Sequence, residues 1–257
     1  MWTNENRTRY DRSKLRYPSD VTDAEWALVG PLIPPAKRGG GKRTVEMRAV
    51  VNGLMYVLST GCQWRAIPKD LPPKSTVHGY FYLWTYDGTL DRIHHALYVK
   101  CREAAARSNA SPRPSSTLQI KGKKRHILVD TIGLLLHALV HPADIQDRDG
   151  GVLVLRTMFG KFPFLQKLFA DGGYQGPPFR DAQKKALPFV DTEIVKRSDA
   201  AKGFKVLPRR WVVERTFSWL GRCRRLAKDF ENLNRKALAF LHLASIRLML
   251  RRLCNQV

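Results

Sequence analysis

The sequence predicts an α/β protein in two parts: an all-helical N-terminal part, then a sheet of mixed strand directions with helices packed on it. Three observations predict this. Over roughly the first 110 residues, apolar side chains recur at helical spacing. Asn109-Ala110-Ser111-Pro112-Arg113-Pro114-Ser115-Ser116 is a linker by composition. Beyond it, apolar runs of strand length alternate with helical patterns.

The elements follow in order. Ser19-Asp20-Val21-Thr22-Asp23-Ala24-Glu25-Trp26 offers cap residues and then acids for a first helical turn, and Pro31, Pro34 and Pro35 frame its end. After the basic loop Lys37 to Arg43, Thr44 is placed to cap a helix carrying Met47, Val50, Val51, Leu54, Met55 and Leu58 and ending near Gly61. Ser75-Thr76 opens a helix with Tyr80, Phe81, Leu83 and Trp84, and another runs from about Leu90 to Arg107. Short helices joined by turns fit a helix-turn-helix-like DNA reader or a plain helical bundle whose aromatic residues are core, and Tyr80 to Tyr86 lacks the arginines a reader presents to phosphates.

Past the linker, His126 to Asp130 and Leu134 to Val140 form a hairpin around Thr131-Ile132-Gly133. Asp147-Arg148-Asp149-Gly150 caps a helix reaching about Lys161. Leu165 to Ala170 is a buried strand, Pro178 to Ala186 a helix, and Glu193 to Lys196 a short strand. Two long helices close the chain, Arg209 to Lys228 and Arg235 to Leu253, the second of which packs as core. The resulting division is a helical domain over 1–108, a linker over 109–120 and an α/β domain over 121–257.

Composition narrows the partners. A formal net charge of +23 on 257 residues would repel itself in a compact fold, so a polyanion, nucleic acid above all, is the expected ligand. No apolar run approaches the roughly 20 residues a membrane span needs. Met1 to Arg16 lacks the apolar core of a signal peptide. Cys62, Cys101, Cys223 and Cys254 are scattered without paired spacing, as reduced thiols would be, and make a zinc site an unfavoured reading. His94-His95 and His137/His141 have no acidic or cysteine companions and read as core or surface histidines.

Two carboxylates stand out. Asp171 closes the apolar run Leu168-Phe169-Ala170 and precedes Gly172-Gly173-Tyr174; Glu214 lies within Arg209-Arg210-Trp211-Val212-Val213-Glu214-Arg215-Thr216. An acid at the mouth of a buried strand, next to glycines, can be approached by a metal and a phosphate. A second acid flanked by arginines could share that metal, which is the anatomy of metal-assisted phosphodiester chemistry. Lys121, Lys123, Lys124 and Arg125 read either as a solvated run or, beside an acidic metal site, as a phosphate clamp.

These segments resemble the DDE transposases of bacterial insertion sequences, in particular the insertion-sequence-five group. Tyr17 to Trp26, Thr60-Gly61-Cys62-Gln63-Trp64-Arg65 and Asp70-Leu71-Pro72-Pro73 look like that group's N-terminal domain. Gly122 to Asp130, Ala170 to Tyr174 and Arg209 to Thr216 look like its catalytic domain. The resemblance implies a ribonuclease-H-like domain, Mg²⁺ or Mn²⁺ as cofactor, and cleavage and transfer of DNA strands. It also implies cytoplasmic, nucleoid-associated work on element terminal repeats and target DNA. Asp171 matches the second acid and Glu214 the third, both as catalytic and metal-binding residues; Arg210 keeps the family's spacing to Glu214, and Arg215 joins the DNA-binding set. A homodimer on DNA is left open.

The first acid departs from the pattern. Family members carry a strand ending in Asp-Ser before the Lys-Gly-Lys-Lys-Arg-His segment, whereas here Ser115 to Ile120 runs straight into Lys121. The expectation is therefore a domain lacking its first, central strand, with impaired cleavage or, alternatively, a non-catalytic DNA-binding remnant or inhibitor. Asp130 should sit at the wrong sheet edge to substitute. Asp144, Asp147 and Asp149 lie at the right one, with turn and helix-cap roles as their ordinary explanation.

Overall fold

In the computed structural model, which describes residues 10–36, 39, 42–106, 116–120, 123–158, 161, 165–174, 176–195 and 208–255, the chain divides into two units. One comprises Met1–Ala104, Arg222–Phe230 and Ala239–Val257; the other comprises Ala105–Gly221 and Glu231–Leu238. Most of the terminal helix thus clusters with the N-terminal helices, although sequence order puts it beyond the linker. Among the described residues no helix is long and apolar enough to cross a membrane.

In the helical unit, α1 (Asp23–Val29) starts in a reciprocal capping box: Thr22 Oγ1 accepts from the Glu25 amide, and Glu25 Oε2 accepts from the Thr22 amide. Arg12 clasps the same carboxylate with two bonds of 2.9 Å. The next helix, α2 (Met47–Thr60), begins three residues after Thr44 with no side-chain cap, so Thr44 does not fill the expected role. Arg43 donates to the Pro34 carbonyl at 3.1 Å, which ties down the strap entering α2 and delays the first turn. Gly61 ends α2 in the left-handed conformation (φ 69°), as its position predicted.

The helices α3 (Lys74–Tyr86) and α4 (Thr89–Ala106) follow. Gly53 lets α3 approach α2, since a Cβ there would lie 2.9 Å from Val77. Phe81 packs on Phe240 at 4.5 Å, with Trp64 5.4 Å from Phe81. Arg225, itself buried, lays its guanidinium against Trp64, Phe230 and Phe240 and donates to the Cys62 carbonyl at 3.0 Å.

The sheet unit holds a three-stranded antiparallel meander, β1 (Ser116–Ile120), β2 (Lys123–Val129) and β3 (Leu135–Pro142). A separate parallel pair is formed by β4 (Lys167–Asp171) and β5 (Asp191–Val195). A short strand therefore lies beside β2, at the edge of the meander, where Thr117 to Ile120 can patch the sheet. Ser116–Ile120, assigned to the linker from composition, pairs with β2 from Ser116↔Ile127 to Ile120↔Lys123. An unpaired β2 edge would leave its amides and carbonyls unsatisfied, and Thr-Leu-Gln-Ile is β-prone enough to cover it.

Helices complete the unit: α5 (Asp147–Met158), α6 (Pro177–Ala186) and α7 (Pro208–Gly221). The expected helix over Arg209 to Lys228 stops at Gly221; Cys223 is extended, and Arg224–Leu226 makes a single tight turn. The terminal helix α8 spans Asn234–Cys254.

Two adjacent glycines inside the first turn of α5 are costly for a helix, about 1 kcal/mol each relative to alanine. The segment expected to cap the helix lies inside it from Asp147 onward, and the neighbours of the two glycines explain the expense. A Cβ at Gly150 would land on His126 and 2.5 Å from His141 Nε2; one at Gly151 would lie 2.6 Å from Tyr174 Cδ1 and 3.2 Å from Phe179. The bare helix face is where the rings sit. Gly150→Ala should consequently lower stability by about 1–3 kcal/mol despite alanine's better helix propensity. Gly79→Ala in α3, where an added methyl meets nothing within 4 Å, should be neutral or stabilising. Urea titration of both variants checks the contrast.

Candidate active site

Asp171 is the last residue of β4, opposite Val195 in the parallel register. Its backbone is fixed by that ladder, while its side chain falls outside the described atoms. The chain then makes one tight turn, Gly172–Tyr174, in which both glycines are exposed and Tyr174 is buried. Tyr174 places its hydroxyl 3.1 Å from His126 Nδ1 and its ring 5.5 Å from Phe179. His126 stacks on His141 at 4.6 Å with 23° between the rings, and His141 Nδ1 donates to the Pro142 carbonyl at 2.7 Å.

Glu214 lies on the exposed side of α7, in the same unit as Asp171. Its neighbours anchor the helix on the β2–β3 turn. Thr216 Oγ1 is 2.9 Å from the Gly133 carbonyl, and Arg215 donates to the Ile132 carbonyl at 3.3 Å while lying 4.7 Å over the Trp219 ring. Gly133 (φ 83°) is required there, because a Cβ would sit 2.8 Å from Thr216 Oγ1. Asp130, fully buried, holds the same turn by accepting from the Leu134 and Ile132 amides at 2.8 and 3.1 Å. It serves as a turn residue.

The cations divide into structural and open ones. Lys123 donates to the Glu231 carbonyl. Lys124 is 8% exposed, 3.0 Å from Asp147 and 2.6 Å from the Ile145 carbonyl, and Arg125 is 5% exposed. Lys124 and Arg125 are thus buried within the fold, while Lys123 is half-exposed. Arg210 belongs to α7, one turn before Glu214, with its side chain outside the described atoms. Asp147 is engaged by Lys124, and Asp149 sits 3.6 Å from Arg148. No group of three or more His, Cys, Asp or Glu side chains with metal-binding geometry occurs among the described residues.

The histidines have structural partners, as expected. His94 meets Ser245 at 3.0 Å, and His137 meets Thr157 at 2.8 Å. What sequence reading missed is the His126–His141 stack with Tyr174 set edge-on against it. Its only sequence signal is the pair of glycines where a helix should not want them.

Comparison with known proteins now gives this arrangement a class. A family model described as "Transposase DDE domain" matches residues 85–249, and one described as "Putative transposase of IS4/5 family" matches residues 21–94. The chain belongs to the DDE transposases of IS4/5-type insertion elements. It is 36% identical over 90 residues to an uncharacterized 16.2 kDa protein of insertion element IS402 from Burkholderia cepacia, covering 33% of this chain and 61% of that one. It is 30% identical over 136 residues to a "Putative transposase for insertion sequence element IS402" from the same organism, covering 49% of this chain and 61% of the relative. The chain thus spans less than two thirds of either relative. No solved structure matches it.

Burial first, and then the neighbouring His141 and Lys124 cations, push the His126 imidazole down to about 4, against an upward pull from Asp147 alone. Between about 4 and 6.5 the unfolded chain binds a proton that the folded chain refuses, so stability rises with pH across that window. Full stability is present above 6.5 and falls on acidification, with a loss on the order of 2 kcal/mol. Urea midpoints at pH 7 and pH 5 should differ accordingly, and His126→Phe should flatten the difference.

Proposed function

We propose that the chain serves as the transposase of its insertion element, binding the terminal repeats and cleaving and joining DNA strands with Mg²⁺ or Mn²⁺ held by Asp171 and Glu214. The observation that carries this reading is the family match over 85–249, within which the two acids of the motif close β4 and occupy α7 of a single unit. The antiparallel β1–β2–β3 meander followed by the parallel β4–β5 pair supports a ribonuclease-H-like domain, with β1 in the place of the first strand.

The donor set suits a hard divalent ion. Carboxylate oxygens are the ligands Mg²⁺ and Mn²⁺ favour, and Mg²⁺ commonly takes only one or two of them, leaving positions for water and phosphate. When bound, the ion supplies charge neutralisation at a DNA phosphate and a more acidic coordinated water. The chain's own residues set the stage. Exposed Gly172 and Gly173 let a DNA backbone come close to Asp171, and Arg210, one helical turn from Glu214, steadies that carboxylate or a phosphate. The helical unit supplies recognition, with Ser75, Gly79, Tyr82 and Tyr86 along the exposed face of α3.

A second reading, binding at element ends without cutting, is favoured by one observation. The strand in first position, Ser-Thr-Leu-Gln-Ile, ends without a carboxylate. Cleavage is accordingly expected to be weak. Loss of one bridging carboxylate removes several kcal/mol of transition-state charge stabilisation. Gln119→Asp and Ile120→Asp return an acid to the end of β1. Nicking of cognate element ends in Mn²⁺ should rise at least roughly tenfold in one of them, equivalent to about 1.4 kcal/mol, and disappear again when Asp171→Asn is added. An unmodified chain that already cuts as fast as both variants contradicts the impairment, and Asp147 and Asp149 then become the acids to replace.

A further inference from the structure

We propose that Tyr174 and His126 are positioning residues that orient the turn carrying Asp171. This rests on the reading of Asp171 as a cation ligand and adds to it the device that aims the carboxylate. β4 ends at Asp171, and the two residues after it are exposed glycines with no side chain to fasten. Tyr174 is therefore the first side chain beyond the acid that can hold the turn.

It is held from three sides. Its hydroxyl shares a hydrogen bond with His126 Nδ1 at 3.1 Å, its ring packs on Phe179 at 5.5 Å, and its edge lies on α5 where Gly151 has no Cβ. His126 in turn cannot drift. It is fixed in β2 by ladders on both sides, stacked on His141, and pressed against Gly150. The His141 bond to the Pro142 carbonyl sets that ring's tautomer and orientation. The chain of contacts runs from backbone-fixed β2 and β3 through two imidazoles to the phenol, and from the phenol across two glycines to the Asp171 backbone.

A site whose ligands must stay within about 0.5 Å of productive geometry needs such support, and removing an outer residue of this kind typically costs 10–100-fold in metal affinity. The hydroxyl is the informative part. Ring packing alone would stabilise the core, while the hydrogen bond also fixes the rotation of the turn about the ring. Tyr174→Phe removes only that bond.

The test measures Mn²⁺ binding by the full chain, using electron paramagnetic resonance, together with amide hydrogen exchange over residues 167–176. Thermal melts accompany both. In Tyr174→Phe and His126→Ala, Mn²⁺ binding should weaken roughly tenfold or more and exchange after Asp171 should accelerate. His126→Asn, whose amide can occupy the place of Nδ1, should recover most of the affinity. Phe179→Leu, which loosens packing but keeps the bond, should lower the melting temperature and leave Mn²⁺ affinity near that of the unmodified chain. If Asp171→Asn binds Mn²⁺ as the unmodified chain does, the cation-ligand reading fails and takes the inference with it. If binding depends on Asp171 yet Tyr174→Phe and His126→Ala match the unmodified chain in affinity and exchange, the inference alone is wrong. Should Tyr174→Phe fail to fold, the His126→Ala and His126→Asn pair decides by the same readouts.

Discussion

Three rings resting on a helix face stripped of side chains hold the sheet unit together. Among the described residues the antiparallel meander and the parallel pair do not share a hydrogen-bonded ladder, so their register depends on packing instead. His126 and His141 project from the meander and Tyr174 follows the parallel pair; all three meet where Gly150 and Gly151 leave α5 bare. Leu128, Val154, Leu155, Leu168 and Ala170 close around the same place, leaving a cavity of only about 30 Å³. The polar hydrogen bond between Tyr174 and His126 at its rim gives the packing a single orientation.

A charge count overstates the positive surface the chain exposes. The chain has 45 lysines and arginines, but several of those in the most suggestive stretches are consumed internally. Lys124 answers Asp147, Arg215 holds the hairpin turn, and Arg225 lies among three aromatic rings. A cation on a β-strand alternates between faces, so a run such as Lys123-Lys124-Arg125 cannot present every charge to one ligand. The positive field remains large, but its local carriers have to be read from exposure.

Much of the fold was legible where local chemistry decides. Thr22 with Glu25, Gly61 after an apolar helix, and Thr131-Ile132-Gly133 between two apolar runs each specify a cap or a turn within a few residues. The failures are those in which a distant partner decides. Thr44 has the chemistry of a cap, but the strap before α2 is tied elsewhere by Arg43. Ser116–Ile120 falls within the stretch expected as linker and junction, and its reason to be a strand is the β2 edge it patches. Of the candidate site, the two acids and their elements could be read from motif. The aromatic support behind Asp171 could not, because nothing in a linear pattern says that a glycine in a helix faces a histidine on a strand.

Everything proposed for the site turns on Asp171 and Glu214 serving one cation although the first acid of the pattern is absent. Ferrous ion in place of Mg²⁺, with peroxide and ascorbate, generates hydroxyl radicals at the bound metal and cuts the nearest backbone. Mass spectrometry of the fragments then reports the ligands directly. Shared ligation predicts cuts clustered at Asp171–Gly173 and at Glu214 in the same chain, suppressed by excess Mg²⁺ and lost in Asp171→Asn. Cuts confined to the stretch Asp144 to Asp149, or none that Mg²⁺ suppresses, would overturn it.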